Sequence, residues 1–184
     1  MVTFVSFYTD DDIYPKYADR LVKSLDSFKL AHDVRRLPVF SSWLRTVNYK
    51  PRFCLDMLNK HKSPIVWVDC DAEIVAWPEL FDYLTCDIAV CYRERPQAPH
   101  ELLTGTVYLS YNSVTLSIVK QWMMACEKYQ NMDQIVLMKV LARNREAVIH
   151  SLPFGYTKIF DAADMDDGKP IIVHHQASRE KKRK

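Results

Sequence analysis

Glycine is scarce in this sequence: its 184 residues include only Gly105, Gly155 and Gly168. No two of them lie close enough to form G-x-G-x-x-G, and none is followed by the Lys-Ser/Thr pair of a phosphate loop. These are the two commonest glycine-built loops that hold the phosphates of a nucleotide. Both are therefore excluded, and phosphate binding by this protein would require side chains or a metal ion.

Paired cysteines and long apolar runs are also lacking. The five cysteines are odd in number and include no C-x-x-C pair, which favours free thiols in a reducing compartment. No apolar run approaches the ~18 residues of a membrane-spanning helix, and the first residues show no basic region followed by a cleavage site. We therefore expect a cytoplasmic protein without a transmembrane segment.

The net charge of +2 is unevenly distributed. Residues 179–184 hold five of the 25 basic residues and one of the 23 acidic residues, so residues 1–178 carry a charge of −2. A basic terminus either binds polyanions or stays solvated. The sequence thus predicts one globular domain over 1–178 and a basic C-terminal tail over 179–184.

Strand and helix patterns alternate along the chain. An apolar run at 2–8 is followed by helical spacing of three and four residues after Pro15. Further strands are predicted at 34–40, 65–68, 87–92, 104–111, 147–150 and 171–174, and further helices at 51–60, 78–84, after an Asn112 N-cap, and at 132–144. Residues 93–100 are predicted to form a mobile loop. This alternation indicates an α/β sandwich with a mainly parallel sheet, whose ligands bind at the carboxyl ends of the strands.

Two carboxylates, Asp69 and Asp71, directly follow the apolar strand Ile65–Val68. In regular extended chain their side chains point the same way, and their oxygens are ligands suited to Mg²⁺ or Mn²⁺. The alternative is a polar turn that merely ends a buried strand. The motif therefore predicts a metal site only in combination with other segments.

Those other segments are present in order. The stretch from Lys50-Pro51-Arg52-Phe53 through Asp69-Cys70-Asp71 to Trp77-Pro78-Glu79-Leu80-Phe81 resembles the core of GT-A glycosyltransferases. Thr104–Leu109, Asn131–Gln134 and Ile172–Gln176 resemble its later motifs. The resemblance implies a single-domain GT-A (Rossmann-like) α/β/α sandwich, a nucleotide-sugar donor that we expect to be a UDP-sugar, a Mn²⁺ or Mg²⁺ cofactor, and an acceptor hydroxyl.

The resemblance also implies roles for individual residues. Asp69 and Asp71 would bind the metal with His174 or His175, of which we favour His174. Asp133 and Gln134 would lie beneath the anomeric carbon, with retention favoured, although an Asp at a helix start is also a common N-cap. The residues expected to bind the nucleotide sugar are Tyr8, Thr9, Asp10, Lys50, Arg52, Asp69, Cys70, Gly105, Thr106 and Arg179.

Two other functions compete with this one. A haloacid-dehalogenase-like phosphatase would use Asp69 as nucleophile, Asp71 as acid/base, Lys158 as the balancing charge and Asp166-Asp167 as distal metal ligands. Glu73 stands where that family has Thr or Val, and about 65 residues precede the motif, which argue against it. The other is an anion or nucleic-acid binding module that uses the basic tail. The tail can equally bring a glycosyltransferase to a polyanionic acceptor such as modified DNA.

Overall fold

The computed structural model describes residues 2–95, 98–129, 131–165 and 168–181. The strands are β1 (Thr3–Thr9), β2 (His32–Leu37), β3 (Ile65–Val68), β4 (Ala72–Ile74), β5 (Ile88–Arg95), β6 (Ala98–Leu109), β7 (Ile149–Ser151), β8 (Lys158–Ile159) and β9 (Ile172–His174). The helices are α1 (Tyr14–Ser27), α2 (Trp43–Asn48), α3 (Lys50–His61), α4 (Ser113–Lys128), α5 (Asp133–Leu141) and α6 (Ala177–Lys181).

Six strands form the central sheet in the order β2-β1-β3-β6-β5-β7. β1 pairs in parallel with β2 and β3, and β5 pairs in parallel with β7. Only β6 among these six runs in the opposite direction, between β3 and β5. The predicted α/β class with a mainly parallel sheet is confirmed.

The sheet is covered on both faces. α3, α4 and α5 pack on one face around Phe7, Trp67 and Trp122. α1 packs on the other face together with a small sheet in the order β4-β9-β8, around Phe4 and Phe81. The strand β3 is wholly buried because both of its faces are covered, as its four apolar residues predict.

Local sequence explains where α4 begins and which face it buries. Asn112 is its N-cap, and the side chain accepts a hydrogen bond from the Thr115 amide at 2.9 Å. Ile118, Trp122 and Cys126, spaced four residues apart, are buried against the sheet. The helix that the sequence predicts after Asn112 is confirmed.

The loop predicted at 93–100 is wrong for residues 93–95 and 98–100, while residues 96 and 97 lie outside the described part of the chain. β5 extends to Arg95 and β6 begins at Ala98, and Arg93 pairs with Glu101 across this hairpin. Antiparallel pairing satisfies the backbone groups of the two strands, and the ion pair between Arg95 and Glu101 joins their side chains. These residues therefore form a paired extension of the central sheet, where the sequence predicted a mobile segment.

Several short elements also differ from prediction. The helix expected at 78–84 is a single 3-10 turn, Glu79–Asp82. The patterns did not predict α2, β4 or β8, because elements of two to six residues are too short to show periodicity. The small second sheet is a consequence of tertiary packing.

Two expectations drawn from composition concern the cysteines and the helices. All five cysteines are free thiols, and four are buried. In the part of the chain that the structure describes, no helix has both the length and the apolar character needed to cross a membrane.

Candidate active site

A cavity of about 370 Å³ opens at the carboxyl ends of β1 and β3. Its walls come from α2, the start of α5, the β5–β6 hairpin and the segment around β9 and α6. Of the residues proposed from the sequence, those that line it are Lys50, Asp69, Cys70, Asp71, Gly105, Asp133, Gln134, His174 and Arg179. The fold thus brings together segments that are more than 100 residues apart in the chain.

The acidic motif at residues 69–71 forms a turn. The sequence analysis expected these residues to continue the strand as regular extended chain. The amide of Ala72 donates to the Asp69 carbonyl at 2.9 Å, which turns the chain back toward the small sheet. Within the turn, Oδ1 of Asp69 accepts hydrogen bonds from Trp67 Nε1 at 3.0 Å and lies 3.2 Å from Lys50 Nζ. Both carboxylates still face the cavity, because the turn and not strand alternation directs them there.

Asp69, Asp71 and His174 form a cluster whose possible ligand atoms all lie within 4.8 Å of one another. The His174 ring is 2% exposed, and its Nε2 hydrogen-bonds Thr106 Oγ1 at 3.0 Å. Among the described residues, its Nδ1 has no hydrogen-bond partner and lies 3.8 Å from Asp71 Oδ1. A buried ring nitrogen without a partner beside two carboxylates fits a divalent cation, because the other nitrogen is already held.

Gly105 makes room for this histidine. A Cβ built on Gly105 would lie 3.0 Å from Cε1 and 3.2 Å from Nδ1 of His174, so the ring packs directly on the glycine backbone. β5 pairs Val90 with Val107 and the next residue, Cys91, with Leu103. Residues 104–106 therefore form a bulge, an irregularity that re-aims side chains at functional sites. The resemblance placed Gly105 among the residues expected to bind the nucleotide sugar, and in the structure its nearest neighbour is the His174 imidazole.

Asp71 links the cluster to the C-terminal segment. Its Oδ2 accepts a hydrogen bond from the Ala177 amide at 2.7 Å, and its carbonyl accepts one from His175 N. Burial acts to raise the pKa of Asp71, but the His174 ring and the Ala177 amide outweigh it, so this pKa lies below its ordinary value. The carboxylate is therefore ionised at neutral pH.

Lys50 is the buried cation of the site. It is 4% exposed, and its Nζ lies 2.9 Å from Asp133 Oδ2 and 3.2 Å from Asp69 Oδ1. The same Nζ donates hydrogen bonds to the carbonyl oxygen and to Oγ1 of Thr104, each at 3.1 Å. Burial lowers the pKa of Lys50, but the two carboxylates overcome this effect and raise it above the ordinary value. Lys50 is therefore charged, and it joins the acidic motif to the start of α5.

Asp133 and Gln134 open α5 on the cavity wall. The possibility that Asp133 caps the helix does not apply, because Met132 occupies the N-cap position and no side chain bonds there. Instead, Asp133 Oδ2 accepts a hydrogen bond from Thr104 Oγ1 at 2.8 Å as well as the Lys50 ion pair. Gln134 is half-buried and belongs to the lining.

Six residues proposed from the sequence do not line the cavity. Asp10 pairs with Arg36, and Arg52 pairs with Glu127 at 3.3 Å on the surface. His175 bonds Glu73 at 2.7 Å, so β9 directs His174 and not His175 toward the carboxylates. These residues are outside the lining of the cavity: Tyr8, Thr9, Asp10, Arg52, Thr106 and His175.

Alternation along β1 separates the two residues at its end. Phe7 belongs to the core cluster next to the cavity and lines it, whereas Tyr8 points to the opposite face of the sheet. Tyr14 at the start of α1 lines the cavity as well. Cavity residues that the sequence analysis missed include Phe7, Tyr14, Trp43, Thr46, Arg95 and Glu101. The register of β1 could have identified Phe7, whereas Arg95 and Glu101 could be identified only from the tertiary structure.

The phosphatase arrangement has no support here. Lys158 Nζ donates hydrogen bonds to the carbonyls of Ala162 and Met165 at 2.9 and 2.8 Å, so it holds the following loop closed. The proposed distal ligands Asp166 and Asp167 lie outside the described residues. The tail predicted at 179–184 begins inside α6, where Glu180 pairs with Lys16 at 2.7 Å, and residues 182–184 also lie outside the described part.

Solved structures share this fold. A glycosyltransferase involved in glycosylation of the major capsid of PBCV-1 superposes with a TM-score of 0.74 at 13% identity, over 99% of this chain and 97% of that one. Mouse xyloside xylosyltransferase 1 superposes with a TM-score of 0.59 at 10% sequence identity, over 96% of this chain and 98% of that one. The bifunctional glycosyltransferase WbbM superposes with a TM-score of 0.63 at 14% sequence identity, over 95% of this chain and 45% of that one.

The likeness is one of structure. No protein-family model and no curated protein sequence matches the chain. The fold is nevertheless that of GT-A-like glycosyltransferases, as the order of the sequence motifs implied. Identities of 10–14% are too low to carry residue roles across.

Proposed function

We propose that this protein is a metal-dependent glycosyltransferase, which moves a sugar from a nucleoside-diphosphate sugar to an acceptor hydroxyl. The observation that carries the proposal is the cluster of Asp69, Asp71 and His174 at the carboxyl end of β3. In open α/β sheets this edge is where ligands bind, and in the solved neighbours the same fold belongs to glycosyltransferases.

The donor site would combine the metal ligands with neighbouring polar groups. Mn²⁺ or Mg²⁺ held by Asp69, Asp71 and His174 would neutralise the charge of the departing nucleoside diphosphate, for which we favour UDP. Thr106 fixes the His174 ring, and Lys50 and Trp67 hold one oxygen of Asp69. Arg179 lines the cavity from the C-terminal side, where its guanidinium pairs with Asp161.

We favour a retaining mechanism on the basis of Asp133 and Gln134 alone. An inverting enzyme needs a general base that takes the proton of the acceptor hydroxyl. Gln134 has no basic group, and Asp133 Oδ2 already accepts from both Lys50 and Thr104. These residues suit the role of holding the donor sugar.

Calorimetry with UDP and GDP, each with and without Mn²⁺, tests the proposal. We expect metal-dependent binding of a nucleoside diphosphate that falls at least tenfold in Asp71→Asn and in His174→Ala. Asp71→Asn keeps an oxygen for the Ala177 amide while removing the charge, so it isolates metal binding from helix docking. His175→Ala is the matched control, because its side chain bonds Glu73 outside the cavity.

Two results would contradict this function. One is nucleoside diphosphate binding that is independent of the metal and equal in the His174 and His175 variants. The other is release of phosphate from a phosphomonoester in the absence of any nucleotide, which would restore the phosphatase alternative.

A further inference from the structure

The β5–β6 hairpin extends beyond the end of β3. Val68, the last residue of β3, pairs with Thr106, whereas the preceding part of β6 pairs with β5 alone. The outer part of the hairpin therefore stands past the acidic turn and forms one wall of the cavity. The side chains that it contributes to the lining are Arg93, Arg95, Glu101 and Leu103.

Arg95 and Glu101 form a pair on this wall. Their Nη2 and Oε2 atoms form an ion pair at 2.6 Å, and the two side chains are 40% and 17% exposed. A guanidinium has five N–H donors and a carboxylate has two acceptor oxygens, so one ion pair leaves further donor and acceptor positions on both side chains. A ligand in the cavity that both donates to Glu101 and accepts from Arg95 would use these positions.

The wall carries no net charge. Glu101 offsets Arg95, and Arg93, whose side chain is 12% exposed, makes a bidentate pair with Asp164 at 2.5 and 2.7 Å. An anionic ligand would gain little from arginines whose charge is already neutralised. A hydroxyl both donates and accepts hydrogen bonds, so it is the group that complements an adjacent donor and acceptor.

We propose that this hairpin wall is the acceptor subsite, and that it binds a neutral sugar through paired hydroxyls on Arg95 and Glu101, with Leu103 against the ring. The inference rests on the proposed function, since it places the acceptor beside a donor held by the metal cluster. It favours a sugar hydroxyl over the phosphate-rich acceptor that the basic tail suggested.

Saturation-transfer NMR on the full chain with UDP and Mg²⁺ tests the subsite. The neutral probes are methyl glycosides of glucose, galactose, mannose and xylose, with maltose and lactose. The anionic probes are methyl glucuronide and a single-stranded DNA oligonucleotide. We expect at least one neutral probe to bind, and Glu101→Gln to weaken it at least fivefold while the affinity for UDP is unchanged.

Glu94→Gln provides the matched control. Glu94 lies on the same hairpin, is 65% exposed and pairs with His100, and it does not line the cavity. This variant should bind the neutral probe as the unmodified chain does. Thermal unfolding of both variants shows whether the hairpin is intact.

Three results overturn the subsite while leaving the proposed function standing: no neutral probe binds although UDP does, Glu94→Gln and Glu101→Gln weaken binding equally, or an anionic probe binds more tightly. Loss of metal-dependent UDP binding in the unmodified chain is a different failure, which contradicts the proposed function itself.

Discussion

At the scale of single residues, the contact between Gly105 and His174 decides the geometry of the cluster. The ring lies on a backbone position where any side chain would intrude, and Thr106 next to it holds the second ring nitrogen. Two adjacent residues of β6 thus set both the place and the orientation of a histidine that is 68 positions later in the chain. The glycine is required by its neighbour, since this position needs space and not an unusual backbone angle.

We expect Gly105→Ala to weaken metal-dependent UDP binding about tenfold. A Cβ at 3.0 Å from Cε1 forces the ring to move by a few tenths of an ångström, away from the position that faces Asp71. Calorimetry with Mn²⁺ measures the effect, and chemical denaturation separates it from any loss of stability. In a His174→Ala background the same substitution should change binding little, and an undiminished effect there would show that Gly105 acts on something else.

At the scale of elements, an acidic residue on the edge strand β2 ties it to the end of α3. Asp33 accepts from Lys60 at 2.5 Å and from His61 at 3.1 Å, and it also pairs with Arg35 on its own strand. The side chain is 10% exposed. The hydrogen bond from Arg35 is the largest of the effects that hold the pKa of Asp33 well below its ordinary value, and Lys60 adds to it.

Because the pKa of Asp33 is lowered, the stability contributed by its ion pairs with α3 depends on pH. A carboxyl whose pKa is lower in the folded state contributes stability above its unfolded pKa of about 4, and loses it as the pH falls further. Asp33→Asn should therefore lower the free energy of unfolding by about 1 kcal/mol at pH 7, because its basic partners are half exposed. Below about pH 4 the difference from the unmodified chain should shrink.

Urea denaturation from pH 3 to pH 7 measures this difference. Asp56→Asn on the exposed side of α3 is the control, and we expect it to change stability little at any pH. If the difference in free energy of unfolding between Asp33→Asn and the unmodified chain is the same across this range, the carboxylate charge does not stabilise the contact between β2 and α3.

At the scale of the whole molecule, Lys50 is the point where four elements meet. It begins α3, and its ammonium reaches Asp69 after β3, Thr104 in β6 and Asp133 at the start of α5. It also lies 5.3 Å from the centre of the Trp67 ring. The candidate site and the core of the domain are therefore joined through one buried charge.

Lys50→Met should destabilise the protein by about 3–5 kcal/mol, because it leaves the buried carboxylate of Asp133 without its cation. Urea denaturation measures the loss, and adding Asp133→Asn should restore part of it by removing one unpaired charge. Arg52→Met on the same helix is the matched control, and this exposed position should cost less than about 0.5 kcal/mol. Equal losses in the Lys50 and Arg52 variants would refute the role of the buried pair.

Much of the fold could be predicted because its signals are local. The apolar run of β3, the spacing in α1 and the Asn112 cap each reflect a backbone preference that neighbours in sequence satisfy. Short elements such as α2 and β8 show no such periodicity, and the hairpin depends on pairing across strands. Their existence is therefore a property of packing.

The sequence by itself determined that phosphates could not be held by a glycine loop, that the sheet is mainly parallel, and that two carboxylates follow a buried strand. Only the tertiary structure decided which histidine joins them, that Lys50 is buried between Asp69 and Asp133, and that Arg95 and Glu101 face the cavity. The physical reason is range: strand and helix preferences act between residues near in sequence, whereas ligand geometry and charge pairing depend on distances that form only when the sheet assembles.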